Sequence, residues 1–198
     1  MLKAIEGAGE FYPFTAALLP DSPGSSILDL GCGTGLKLEW FFKKNPSAAV
    51  TGVDLSAGML TRLKEKFPDK KLQLVCGSYF DVEFDRAQFD AVVSVESLHH
   101  FTVMQKTALY KKLCVALKPQ GYFILTDYFA CSDAEEQSFF DALSKTKRKE
   151  SASDNVFYHF DTPLTVQHEV VALQKGGFKT VNILKNWGAT FVLKAEKD

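Results

Sequence analysis

Five short stretches of the chain are apolar over consecutive positions: "SSILDLG" (25–31), "AAVTGVDL" (48–55), "KLQLVCG" (71–77), "FDAVVSVES" (89–97) and "GYFILTDYFA" (121–130). They are rich in β-branched and aromatic residues. A strand with one wet face alternates apolar and polar residues, whereas a strand covered on both faces does not. Helix-period segments lie between them. Met59, Leu60, Leu63 and Phe67 form one stripe, and Leu109, Leu113, Ala116 and Leu117 form another. The second helix should stop at "KPQG", where Pro119 disfavours helix at Lys118 and Gly121 opens the next strand. This rhythm implies right-handed crossovers and a doubly wound, mostly parallel α/β sheet. With 198 residues and 46% hydrophobic content, the chain suits one domain with a full core.

The last third has a different pattern. Residues 133–146 predict a helix with Phe139, Phe140 and Leu143 on one face. Residues 147–161 are polar, then aromatic, without a period, so 131–161 is read as a lid region. A further helix is expected over 163–175, starting at Pro163, turning Val166, Val170 and Leu173 inward and ending at Gly176-Gly177. "FKTVNILKNW" (178–187) and "ATFVLKAEK" (189–197) flank Gly188 and predict a C-terminal antiparallel hairpin. Residues 1–24 are left as a short N-terminal cap.

Charge excludes some partners. The net charge is −1, from 23 basic and 24 acidic residues, so nothing steers the chain towards nucleic acid or an anionic membrane. Only Arg62, Arg86 and Arg148 are arginines, a poor supply of phosphate forks. Cys32, Cys76, Cys114 and Cys131 form no CxxC pair, and cysteine and histidine do not cluster at zinc-ligand spacing, so no metal is expected. Isolated cysteines fit a reducing, cytoplasmic setting. No segment nears the roughly 20 apolar residues of a membrane span, and the N-terminus lacks a signal-peptide stretch.

The run "ILDLGCGTGL" (27–36) places three glycines directly after the first strand. Glycine there lets backbone amides approach a ligand closely at a helix N-terminus. Asp54 ends the second strand, where an acid can accept both hydroxyls of a ribose. Gly31, Gly33, Gly35 and Asp54 together argue for a nucleoside-bearing cofactor.

The dinucleotide fingerprint is GxGxxG, but here the spacing is GxGxG, with Asp29 two residues ahead. In this the sequence resembles the class I S-adenosylmethionine-dependent methyltransferases, a Rossmann-like family with a seven-stranded sheet. "VTGVDLSAGML" (50–60), "FDAVVSVESLHHF" (89–101), "LYKKLCVALKPQGYFILTDY" (109–128) and the C-terminal hairpin carry the likeness further. The resemblance implies S-adenosylmethionine as cofactor and a small-molecule methyl acceptor. It implies that Asp29 helps orient the methionine amino group and that Gly31, Cys32, Gly33 and Gly35 pass close to the methionine part. Asp54 would hold the ribose hydroxyls, with Leu55 and Met59 packed on adenine. Ser78 and Tyr79 would border the adenine edge, where many members carry an acid after the glycine and this chain reads "CGSYFD". Glu96, Ser97 and His100 would line the methyl end.

Alignment is the main demand of methyl transfer, and a general base is needed only if the acceptor must lose a proton. His99 and His100 are the candidates, but neighbours on an extended segment point opposite ways, so both should not serve one acceptor. Tyr128, Tyr12, Phe157, Tyr158 and His159 are further acceptor-side candidates. No "NPPY"-like stretch follows the fourth strand, against methylation of nucleic-acid amines.

The last third is similar to the carboxy-S-adenosylmethionine synthase-like branch, through "LQKGGFKTV" (173–181) and "FVLKAEKD" (191–198). That branch holds its extra carboxylate with an arginine. The matching position here is Ala172, so ordinary S-adenosylmethionine is expected. The short cap implies an open site, reliance on 131–161, or a covering partner subunit such as the second copy of a homodimer. The rival readings are a non-catalytic S-adenosylmethionine-binding partner or sensor domain and a tRNA-modification-related enzyme.

Overall fold

The apolar runs pair into one seven-stranded sheet. In the computed structural model, which describes residues 7–149 and 160–197, the strands are β1 (Ser26–Leu30), β2 (Ala49–Asp54), β3 (Lys71–Cys76), β4 (Phe89–Val95), β5 (Leu117–Tyr128), β6 (Thr180–Trp187) and β7 (Thr190–Glu196). Their order across the sheet is β3-β2-β1-β4-β5-β7-β6. β1 to β5 are parallel, and β7 runs antiparallel to both β5 and β6. The expected sheet and hairpin are both present. The strand order reverses at β1 and β4, which opens a crevice at their carboxyl ends.

Six helices cover the sheet among the described residues: α1 (Ala8–Ala17), α2 (Leu38–Lys44), α3 (Ala57–Lys66), α4 (Val103–Ala116), α5 (Asp133–Lys149) and α6 (Val166–Lys175). On one face, Leu109, Tyr110 and Leu113 of α4 and Leu173 of α6 pack with Leu28, Val92, Phe123 and Leu193. On the other, Phe11, Leu38, Phe41 and Leu63 pack with Ile27, Val50, Val93 and Ile124. Adjacent strand residues thus feed opposite layers, which is why the runs are apolar without alternation.

Several boundaries move, for local reasons. Pro119 does end α4, but Leu117 turns extended at once and is fully buried, so β5 starts four residues before Gly121. α6 starts at Val166, not Pro163, because the Thr165 hydroxyl accepts the His168 N–H as its N-cap. α5 continues to Lys149, and the rest of the lid region, residues 150–159, lies outside the described residues together with Phe157, Tyr158 and His159. α1 and α2 escaped the periodicity argument. α2 has only seven residues, and α1 carries Pro13 and apolar residues on most sides. Residues 7–24 are therefore more than a loose cap. Phe11 is fully buried, and Phe11 and Phe14 meet the Trp187 ring of β6 edge-on at 6.2 and 5.6 Å. None of the described helices is long and apolar enough to cross a membrane.

Candidate active site

A cleft of about 530 Å3 opens at the carboxyl ends of the central strands. Gly31, Gly33, Asp54, Leu55, Met59, Tyr79, Glu96, Ser97 and His100 line it, and all nine were singled out from sequence. Ser56 and Phe101 complete the lining and were missed, although Phe101 closes the "LHHF" run. Asp29, Cys32, Gly35, Ser78, His99 and Tyr128 are not among its lining residues.

The three glycines do different work, though all have left-handed backbones. At Gly31 (φ 63°) a Cβ would lie 2.1 Å from Ser97 Oγ, so the missing side chain makes room for Ser97. At Gly35 (φ 72°) a Cβ would lie 2.4 Å from Leu63 Cδ1, so the turn can pack on α3. At Gly33 (φ 54°) a Cβ would meet nothing within 4 Å, and this residue borders the cleft. Gly33→Ala should therefore keep most of its stability, losing about 1–2 kcal/mol to the left-handed backbone, while weakening ligand binding. Gly31→Ala should lose clearly more, since the clash with Ser97 adds to the same strain. Urea denaturation of both variants checks this, and equal losses would refute the division of roles.

Asp54 organises the turn. Its carboxylate accepts the Gly33 and Ser56 N–H groups, each at 2.8 Å. Leu55 and Met59 flank it with 59% and 41% of their surfaces exposed, an apolar shelf at the cleft edge. Below the turn, Asp29 is fully buried and lies 2.8 Å from Lys37 Nζ, itself buried. Burial raises the Asp29 pKa, and the neighbouring Lys37 only partly opposes this. Cys32 points into the core beside Gly52, and burial pushes its thiol pKa up. Ser78 spends its hydroxyl on the Phe80 N–H within a turn. The Tyr79 hydroxyl donates to the Ser97 carbonyl at 3.1 Å, which fixes the cleft wall.

At the other end, Glu96 takes a left-handed backbone (φ 51°) as the chain leaves β4. Burial, then the nearby charge of Asp127, lifts its pKa to about 7. The segment that follows is a turn, with Phe101 N–H donating to the Leu98 carbonyl at 3.2 Å. This corrects the extended geometry assumed for the histidine pair. The two rings lie 4.0 Å apart and both approach Asp161. His99 Nδ1 is 2.5 Å from Asp127 Oδ1, a buried carboxylate that also accepts the Leu98 and Tyr128 N–H groups at 2.8 and 2.9 Å. Burial alone would lower the His99 pKa, but the charge and hydrogen bond of Asp127 outweigh it and raise the value. Burial likewise would raise the Asp127 pKa, and His99, Lys106 and the Leu98 N–H overcome that and lower it. Tyr128 turns its ring towards His99 at 6.2 Å and Phe139 at 6.4 Å. Asp127 and Asp161 were both missed, the first because it is buried in a strand, the second because it is remote in sequence.

Sheet order, left-handed glycine turn, acid at the end of β2 and apolar shelf are those of a Rossmann-like methyltransferase fold. Residues 27–121 match the family model described as "Methyltransferase domain". It is 36% identical over 103 residues to malonyl-[acyl-carrier protein] O-methyltransferase of Priestia megaterium, covering 52% of this chain and 36% of that protein. It is 24% identical over 188 residues to carboxy-S-adenosyl-L-methionine synthase of Nautilia profundicola, covering 86% of this chain and 77% of that one. A crystal structure of an S-adenosylmethionine-dependent methyltransferase from Mesorhizobium loti superposes with a TM-score of 0.68 at 20% identity, covering 93% and 96% of the two chains. The chain thus spans well under half the length of the first O-methyltransferase.

The fold and the matched domain imply S-adenosylmethionine as cofactor, and the residues fit it. Gly33 leaves open space beside the cleft, the Leu55 and Met59 shelf suits an adenine face, and Asp54 keeps lone pairs beyond the two already used. Ala172 is fully buried in the α4–α6 layer and is not among the cleft's lining residues.

Proposed function

We propose that the chain is an S-adenosylmethionine-dependent methyltransferase acting on a small-molecule acceptor in the cytoplasm. The observation that carries this is the convergence of Gly33, Asp54, Leu55, Met59 and Glu96 on one cleft at the switch point of the sheet. When bound, S-adenosylmethionine supplies a sulfonium-activated methyl group, so the protein's task is alignment. Asp54 holds the ribose through its remaining lone pairs, and Leu55 and Met59 cover the adenine. Glu96 faces the methionine end, and His100 marks the acceptor end. His99 is a positioning residue, held by Asp127 and outside the cleft lining. The relatives named malonyl-[acyl-carrier protein] and fatty-acid O-methyltransferase favour an oxygen acceptor. The near-neutral charge argues against a nucleic-acid partner.

Calorimetric titration with S-adenosylmethionine, alongside NAD, tests the cofactor reading. Binding of the first and none of the second is expected. The opposite pattern would replace this reading with a nicotinamide enzyme. Formation of S-adenosylhomocysteine in the presence of a metabolite extract separates an enzyme from a sensor, which would bind the cofactor without converting it.

A further inference from the structure

We propose that His99, His100 and Asp161 bind a divalent first-row transition-metal ion of the Zn2+ type at the acceptor end of the cleft. One donor atom from each residue lies within 4.8 Å of the others. His100 Nδ1 is 3.1 Å from Asp161 Oδ1, and His99 Nε2 is 3.7 Å from the same oxygen. Ligands on a tetrahedral zinc ion with bonds of about 2.0–2.1 Å stand roughly 3.3 Å apart. The cluster is therefore spaced for an ion with only small side-chain shifts.

Its surroundings fit the same assignment. A metal-binding histidine commonly gives its second ring nitrogen to a carboxylate, which fixes the tautomer and aims the free nitrogen at the ion. His99 does this, with Nδ1 on Asp127 and Nε2 turned to Asp161. Asp127 is itself fixed by two backbone N–H groups. Asp161 is held near the histidines by the next residue, since the Thr162 N–H donates to the His99 carbonyl at 2.7 Å. The histidine side chains are 12% and 11% exposed and that of Asp161 54%, so an ion can enter from solvent. Glu96, His99 and Asp127 form a second cluster of suitable size, but its Asp127 oxygens are already engaged by N–H groups and by His99. Local spacing conceals the site, because Asp161 comes 61 residues after His100 (161 − 100).

Two nitrogens and one oxygen leave at least one coordination position for a further ligand. His100 lines the cleft, so that position is suited to an oxygen donor of the acceptor. This last step rests on the methyltransferase reading, whereas metal binding does not.

The test uses the untagged full chain, stripped with chelator and titrated with Co2+ as a visible-absorption probe, then with Zn2+ in competition. Wild type should develop the intense visible band of low-coordinate, protein-bound Co2+, and Zn2+ should abolish it. Asp161→Ala and His100→Gln should each weaken Co2+ binding at least tenfold, and Asp127→Asn by about 10–100-fold. Asp161→Ala should still bind S-adenosylmethionine in the calorimeter, which reports an intact fold. A spectrum identical to aqueous Co2+, or Asp161→Ala binding Co2+ as wild type does, would overturn the proposal. Cofactor binding without Co2+ binding would sink the metal site alone, and Co2+ binding without cofactor binding would sink the cofactor reading alone.

Discussion

Glu169→Ala should destabilise the fold by about 3–5 kcal/mol, because it strands a buried lysine. Glu169, Lys106 and Tyr110 are all essentially inaccessible. Lys106 Nζ lies 2.5 Å from Glu169 Oε2, and the Tyr110 hydroxyl donates to Oε1 of the same carboxylate. The pair locks α4 to α6 across 63 residues of sequence. Removing the carboxylate leaves a buried ammonium and a buried hydroxyl without the acceptor that both use. Replacing the whole cluster at once, with Lys106→Met, Tyr110→Phe and Glu169→Leu, should recover most of the loss, since a buried pair replaced by apolar groups of similar volume is often neutral or stabilising. Urea unfolding measures both. A loss below about 1 kcal/mol for Glu169→Ala, the range of an exposed pair, would show that water reaches this contact.

Asp54→Ala should weaken S-adenosylmethionine binding tenfold or more, about 1.4 kcal/mol. A carboxylate offers about four acceptor sites. Two are taken by the Gly33 and Ser56 N–H groups, which leaves two for a pair of ribose hydroxyls. The substitution removes the ribose contacts and also frees the glycine turn. Asp54→Asn separates these effects. It preserves size but has a single acceptor oxygen, and its amide donors must face either a backbone N–H or the ribose. Its affinity should fall between wild type and alanine. Calorimetry reads all three, and an Asp54→Ala affinity within twofold of wild type would remove Asp54 from the cofactor site.

The strands were legible because burial on both faces writes itself as an unbroken apolar run, as in Ala91–Val93, whose side chains enter alternate layers. The cleft residues were legible where backbone conformation and chemistry coincide, at Gly33 and Asp54. Buried charge was not. Lys106 and Glu169 look like solvent-facing residues until the partner 63 residues away is known, and Asp29, read as a cofactor-facing acid, pairs instead with Lys37. The histidine pair failed for a related reason. Its sequence fits a strand end, and only the Leu98–Phe101 turn brings both rings to Asp161. The glycines were explained too uniformly, since at two of the three a Cβ would strike a protein side chain.

β7 follows β6 in the chain but lies inside it in the sheet, between β5 and β6. Until residues beyond Thr190 have left the ribosome, the long edge of β5 has no neighbour on that side. Residues Tyr122–Tyr128, which later pair with β7, then present an open and strongly apolar template to other chains. The C-terminal hairpin is thus what covers the β5 edge, a contact that no earlier part of the described chain can make.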